Sequence, residues 1–213
     1  MAREVADYNL FMMCASLKRE ALSPLPVGFS FRNCRPSELD LWKEMHFDNP
    51  EEVQAYRGFM DDFFEDTYRA EAQAFFERTL FACDPHGRPV GTCLLWPAYG
   101  KLNTLHWLKV VKGYEGLGLG RALISAVLKD LSDADFPVYL HTQPGSFRAI
   151  KLYADFGFQV LQDPQIDNRK NEWAESMPYL REHMPAAELE KLTFTSAPKD
   201  FLEIVAAYPT VEF

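Results

Sequence analysis

A histidine in an apolar run, a tyrosine on a helix-like segment and four glycines within eight residues are the groups in this sequence best suited to chemistry. His106 lies in "NTLHWLKVV", and an imidazole with an ordinary pKa of about 6.5 can take a proton near neutrality. Tyr153 lies in "SFRAIKLYADFGF", where a phenol could give a proton to a departing group. Gly113, Gly116, Gly118 and Gly120 fall in "GYEGLGLGRAL", bare amides running into a helix start that can hold an anion. Each side chain also has a plain structural reading. His106 would then be a core histidine bonded to a backbone carbonyl, and Tyr153 an aromatic on a buried helix face.

Spacing separates the chemistries that use glycine loops. A Walker A loop requires Lys and Ser or Thr after its last glycine, but Gly118 is followed by Leu119 and Gly120. A dinucleotide fingerprint requires G-x-G-x-x-G, and Leu123 or Arg121 stands where its third glycine belongs. What is left is E-G-L-G-L-G between a strand and a helix, suited to a pyrophosphate.

That segment resembles the coenzyme A loop of the GNAT acetyltransferase superfamily, [QR]-x-x-G-x-[GA] followed by a helix, with Gly118 and Gly120 at the family's glycines. "SFRAIKLYADFGF" resembles the family's second signature, A-x-x-L-Y ending in G-F, and the similarity runs over roughly residues 27 to 162. The resemblance implies a mixed, mostly antiparallel sheet flanked by helices, with a central parallel βαβ unit carrying the loop. It implies acetyl-CoA held by Leu108, Val110, Glu115, Gly116, Leu117, Gly118, Leu119, Gly120, Arg121, Ser146 and Arg148, with a backbone N–H around Leu108 to Val110 meeting the oxyanion. "LHWLKV" is also similar to a strand of the arylalkylamine N-acetyltransferases, which makes His106 the expected general base and Tyr153 the expected acid. No metal is required by this chemistry.

One residue departs from the pattern: Glu115 stands where the family has Gln or Arg. An anion ~5 Å from a phosphate costs roughly 1 kcal/mol per charge pair even at water-like dielectric, so Glu115 must turn away or weaken the cofactor. Lys109, Lys112, Arg121, Arg148 and Lys151 are nearby cations able to compensate, or else a solvated basic rim.

These groups need a scaffold, and the order of elements supplies an α/β one. Residues 1–26 read as a short helix and a linker broken by "SPLPVG"; residues 27–183 form the acetyltransferase-like domain; residues 184–213 are an extension packing on it or on a dimer partner. Within the domain, "FSFRNCR" reads as a strand and Ser37 as the N-cap of the next helix. Residues 49–76 read as helical, with Phe59, Phe63, Phe75 and Phe76 inward. "DPHGRP" is a hairpin turn, and "NTLHWLKVV", the loop, "GRALISAVLKDL" and "PVYLHT" form a βαβ unit. A helix with Ser146 as N-cap follows and stops at Gly157; "QIDNRKN" is then a polar loop and "WAESMPYL" a last strand.

Composition narrows the partners. With 31 acidic against 22 basic residues, a net charge of −9 argues against a long nucleic-acid footprint. Four scattered cysteines form no CxxC, so reduced thiols and a cytoplasmic location are expected, with no membrane span. The family resemblance implies a small-molecule amine as acceptor, bound between residues 49–76 and 162–178. Asp61, Asp62, Glu65 and Asp66 either attract it or form a solvated helix face. The alternatives are a protein or peptide amine, and a coenzyme A sensor without catalysis.

Overall fold

The computed structural model describes residues 4–213. In chain order come β1 (Leu10–Cys14), β2 (Ser30–Asn33), α1 (Leu39–Glu44), α2 (Pro50–Thr67), α3 (Ala72–Arg78), β3 (Leu80–Cys83) and β4 (Pro89–Ala98). Then follow β5 (Leu102–Val110), α4 (Leu119–Leu128), β6 (Val138–Thr142), α5 (Phe147–Phe156) and β7 (Gln159–Leu161). The chain ends with a small hairpin of β8 (Gln165–Ile166) and β9 (Arg169–Lys170), then α6 (Trp173–His183), α7 (Ala186–Leu189), β10 (Phe194–Thr195) and α8 (Lys199–Ala207).

Eight strands form one sheet in the order β10-β7-β1-β6-β5-β4-β3-β2. The pairings are antiparallel except β5 with β6 and β7 with β10. A mostly antiparallel sheet with a central parallel βαβ unit is the architecture the resemblance implies. One face packs under α4, α5 and α6, with Leu123, Ile150, Phe156 and Leu180 fully buried there. The other packs under α1, α2, α3 and α8, with Trp42, Phe64, Phe75 and Phe201 buried. Each such apolar side chain contributes roughly 1.5–3 kcal/mol on burial.

Residues 4–26 are not a helix and linker, and residues 1–3 of that reading lie outside the described residues. Leu10–Cys14 is a central strand with every residue buried, paired along its length with β6 and over Met12 and Met13 with β7. Leu10, Met12 and Cys14 enter one core while Phe11 and Met13 enter the other. A strand covered on both faces shows no apolar/polar alternation, which is why "LFMMC" resembles a helix turn. The extension likewise packs on its own chain: β10 joins the sheet edge, and Phe201, Val205 and Phe213 enter the second core. The packing need that suggested a dimer is therefore met within the chain.

Other local readings also change. Asn49, not Ser37, is the residue whose side chain caps a helix here, accepting from the Glu52 amide at 2.9 Å. The helical stretch breaks at Tyr68 into α2 and α3, and Phe59 is 54% exposed while Met60 and Phe64 take the buried positions. "QIDNRKN" is the β8–β9 hairpin, turning at Asp167 with φ 52°. "WAESMPYL" is helical, belonging to α6 with Pro178 inside it. No described helix is long and apolar enough to cross a membrane.

Candidate functional site

The sheet opens where β5 leaves β6. Only Asn103 and Thr104 of β5 pair with β6, at Val138 and Tyr139, while β6 continues along β1 to Thr142. Beyond Thr104 the far edge of β5 has no strand beside it among the described residues. The Val111 amide donates to Val90 O at 2.9 Å, so by the alternation of an antiparallel ladder the Val110 amide points the other way, into the opening, as does Leu108. These are the two positions expected to meet an oxyanion.

A β-bulge lies just before them. Cys93 alone on β4 opposes Trp107 and Leu108, because the register passes from Leu94↔His106 to Thr92↔Lys109. Trp107 takes the extra position with φ 53°, unfavourable for a bulky residue, and is held there by its indole N–H donating to the Tyr68 hydroxyl at 3.1 Å. The bulge lets His106 and Trp107 face the same side of the sheet.

At the far end of β5 the glycines shape the loop. Gly116 and Gly118 have φ of 78° and 85°, where a side chain would cost about 1–2 kcal/mol. Gly118 is the N-cap of α4, and no side chain caps that helix. The first amide to find an intrahelical acceptor is Ala122, bonded to Gly118 O. Leu119, Gly120 and Arg121 thus present unpaired N–H groups at the positive helix end. Gly120 serves contact: a Cβ there would come within 3.2 Å of Leu152 Cδ1 on α5.

These parts border one cleft of about 640 Å³. Leu108 to Val110 lie along it, Glu115, Gly116 and Gly118 to Arg121 form one wall, and Gly145 to Ala149, with Lys151 and Leu152, form the other. Of the residues expected to hold a cofactor, Leu117 alone lies outside the lining, half exposed. Ser146 occupies the N-cap position of α5 without a side-chain capping bond. The Arg121 side chain turns from the cleft to Asp155 at 2.5 Å and Ala21 O at 3.3 Å, leaving its amide as the group it can offer. Glu115, the outlier, accepts from Arg148 Nη1 at 3.1 Å across the two walls. Tyr114 steadies the loop by donating to Asp84, whose carboxylate Arg88 also grips.

His106 is not placed to act as a base. It is 4% exposed and outside the cleft, with Nδ1 2.5 Å from the Tyr68 hydroxyl and Nε2 2.7 Å from Thr104 Oγ1. Thr104 donates its own proton to Trp96 O at 2.9 Å, so it accepts from Nε2–H, and Nδ1 accepts from Tyr68. Trp107, Tyr68, His106, Thr104 and Trp96 thereby form one satisfied chain with no site for another proton. Burial, aided by the charge of Arg169, pushes the His106 pKa down to about 3.

Tyr153 is buried to 6% exposure outside the cleft lining, against Phe158. Burial raises its pKa, so the phenol stays protonated, and its hydroxyl has no hydrogen-bond partner among the described residues. The cysteines are buried thiols, with Cys14 pushed up to about 11 and Cys34 to about 12 by desolvation, which makes poor nucleophiles for an acetyl relay. Of the acidic cluster, Asp61 pairs with Lys43 and Glu65 with Arg69, as a solvated helix face does. His46 packs on Trp42 and Trp107, a contact that sequence reasoning passed over because no motif marks it. No group of three or more metal-ligating side chains exists among the described residues.

Comparison with known proteins bears on the family and the fold. Residues 40–158 match the acetyltransferase (GNAT) family. A GCN5-related N-acetyltransferase from Sphaerobacter thermophilus is similar at 20% identity and a TM-score of 0.50, over 73% of this chain and 49% of that one. A Drosophila protein is similar at 17% identity and a TM-score of 0.49, over 71% and 47%. A GNAT acetyltransferase from Staphylococcus aureus gives 17% identity and a TM-score of 0.43, over 60% and 81%. The chain spans about half the length of the first two structures. No curated protein matches it. With its family match covering more than half of its residues, the chain belongs to the GNAT acetyltransferase family.

Proposed function

We propose that this chain moves an acetyl group from acetyl-CoA directly to the amine of a small molecule, with the coenzyme in the cleft between α4 and α5. The observation that carries the reading is the row of unpaired amides at Leu119, Gly120 and Arg121, opening onto a cleft whose side is the free edge of β5. A pyrophosphate fits such an end because donors and dipole act together and no side chain intrudes at Gly116 or Gly118. Acetyl-CoA, when bound, supplies an activated thioester carbonyl. The amides of Val110 and Leu108 are the donors for the oxygen that gains charge during attack. Tyr153, which like His106 lies outside the cleft lining, is assigned as proton donor for the leaving sulfur on the motif resemblance, with burial keeping its phenol protonated and its hydroxyl without a hydrogen-bond partner among the described residues.

The base is where the reading departs from the resemblance. No histidine lines the cleft, and His106 has both nitrogens engaged. An alkylamine with a pKa of about 10.4 therefore loses its proton before it binds, at about 4–5 kcal/mol at pH 7. In this account His106 is a structural residue, bonded to Tyr68 and Thr104 behind the bulge that Tyr68 and Trp107 hold.

One observation favours a second reading of the acceptor. Trp42, His46, Phe63, Tyr68 and Trp107 pack on one another instead of walling an enclosed pocket, which suits an amine presented on a peptide at the surface. Acetyl-CoA turnover against amines, polyamines, amino acids and peptides at several pH values tests both. The small-molecule reading requires turnover with at least one free amine, and the absence of a base requires a rate that climbs about tenfold per pH unit below the amine pKa. Turnover confined to peptides would move the acceptor to the second reading; a plateau above pH 7 in wild type that His106→Ala abolishes would restore the histidine as base.

A further inference from the structure

Glu115 and Arg148 face each other from opposite walls of the cleft, one on the loop ahead of Gly116 and the other on the first turn of α5. Arg148 differs from the cleft's other cations. Lys109 is 20% exposed and held by Asp48 at 2.8 Å, Arg121 is turned to Asp155, and Lys151 reaches out to Glu188 at 3.3 Å. The Arg148 side chain is 76% exposed, with its ion-pair partner in the phosphate-binding loop itself. So exposed a pair is weak and easily exchanged, and a guanidinium binds phosphate through paired donors at least as well as it binds a carboxylate.

We propose that Glu115 is a built-in competitor for Arg148: ligand binding exchanges the Glu115 carboxylate for a phosphate of coenzyme A, so Glu115 sets the affinity of the cleft. This rests on the coenzyme A reading above. It accounts for an acid in a phosphate loop, because the acid is neutralised by the cation that the phosphate later takes. Affinity should then be governed by the contest for one guanidinium and should respond strongly to salt.

The test is calorimetric binding of acetyl-CoA to the full chain, with no turnover required. At low salt, Glu115→Gln should tighten binding about five- to tenfold and Arg148→Ala should weaken it by a similar factor. In the Arg148→Ala background, Glu115→Gln should gain less than twofold, and in 0.5 M salt the single-variant gain should shrink likewise. Acetylpantetheine, which lacks phosphate, should show no gain. With 3′-dephospho-acetyl-CoA, a retained gain assigns Arg148 to the diphosphate and a lost one assigns it to the 3′-phosphate. Either supports the exchange.

An equal gain in both Arg148 backgrounds would overturn it in favour of simple repulsion, and so would no gain, weaker binding, or a gain with acetylpantetheine. If wild type binds no acetyl-CoA at millimolar concentration, the coenzyme A reading falls and the inference with it. Normal wild-type binding with an inert Glu115→Gln removes the inference alone.

Discussion

The two sides of β5 are built on opposite rules. Toward α4 and α5 its edge is unpaired, the neighbouring helix start has free amides, and the walls meet through an exposed ion pair. Toward α1 and α2 every polar atom of His106 is satisfied inside an aromatic cluster. The open side can gain partners from a ligand, whereas the His106 chain can only lose them, although Trp42 Nε1 and His46 Nε2 in the same cluster are buried without a hydrogen-bond partner among the described residues. In the proposed reading cofactor recognition belongs to the first and stability to the second, and His106 stands with the second.

Substitutions should break the two sides separately. Gly118→Val should have the largest effect, because a β-branched residue is forced into φ 85° and the loop must reshape. Acetyl-CoA affinity should fall at least fiftyfold by calorimetry, while the thermal midpoint changes by only a few degrees. His106→Ala should do the reverse. Leaving Tyr68 and Thr104 without their partner beside a new cavity should cost about 3 kcal/mol in urea unfolding, with acetyl-CoA affinity unchanged in the folded protein.

Acid should act on the closed side as well. His46 and His106 both have pKa values lowered to about 3 by burial, against about 6.5 unfolded, so the unfolded chain binds more protons between those values. Their contribution is complete above pH 6.5 and is lost as pH falls toward 3. Urea midpoints measured from pH 7 to pH 4 should drop steeply, and the drop should be about halved in His106→Gln. Smallest is Tyr153→Phe: about tenfold lower kcat, unchanged KM for acetyl-CoA and little change in stability, since a leaving thiol of pKa about 8.5 needs modest help.

The open side was the more legible in sequence, for a physical reason. Positive φ and close helix contact admit almost nothing but glycine, so Gly116, Gly118 and Gly120 announce the loop, as Gly157 with φ 100° announces the end of α5. The βαβ unit was equally legible from its periodicity. The closed side hides because its determinants are contacts distant in sequence. Nothing near His106 reveals that Tyr68 will reach its Nδ1, and "LFMMC" gives no sign that both faces will be covered. The Trp107 bulge is invisible for the same reason: it is a mismatch in register between two strands. Arg148 could be suspected from its charge, but its pairing with Glu115 required the fold.

The central claim is that backbone amides at the start of α4 hold the coenzyme. Amide NMR titration of the labelled chain with acetyl-CoA tests it most directly. The account predicts the largest shifts and strongest exchange protection at Gly118, Leu119, Gly120 and Arg121, smaller ones at Leu108 and Val110, and none at Thr104 or Tyr68. Saturable binding whose shifts cluster around Tyr68 and Trp107 while the α4 amides stay still would contradict it.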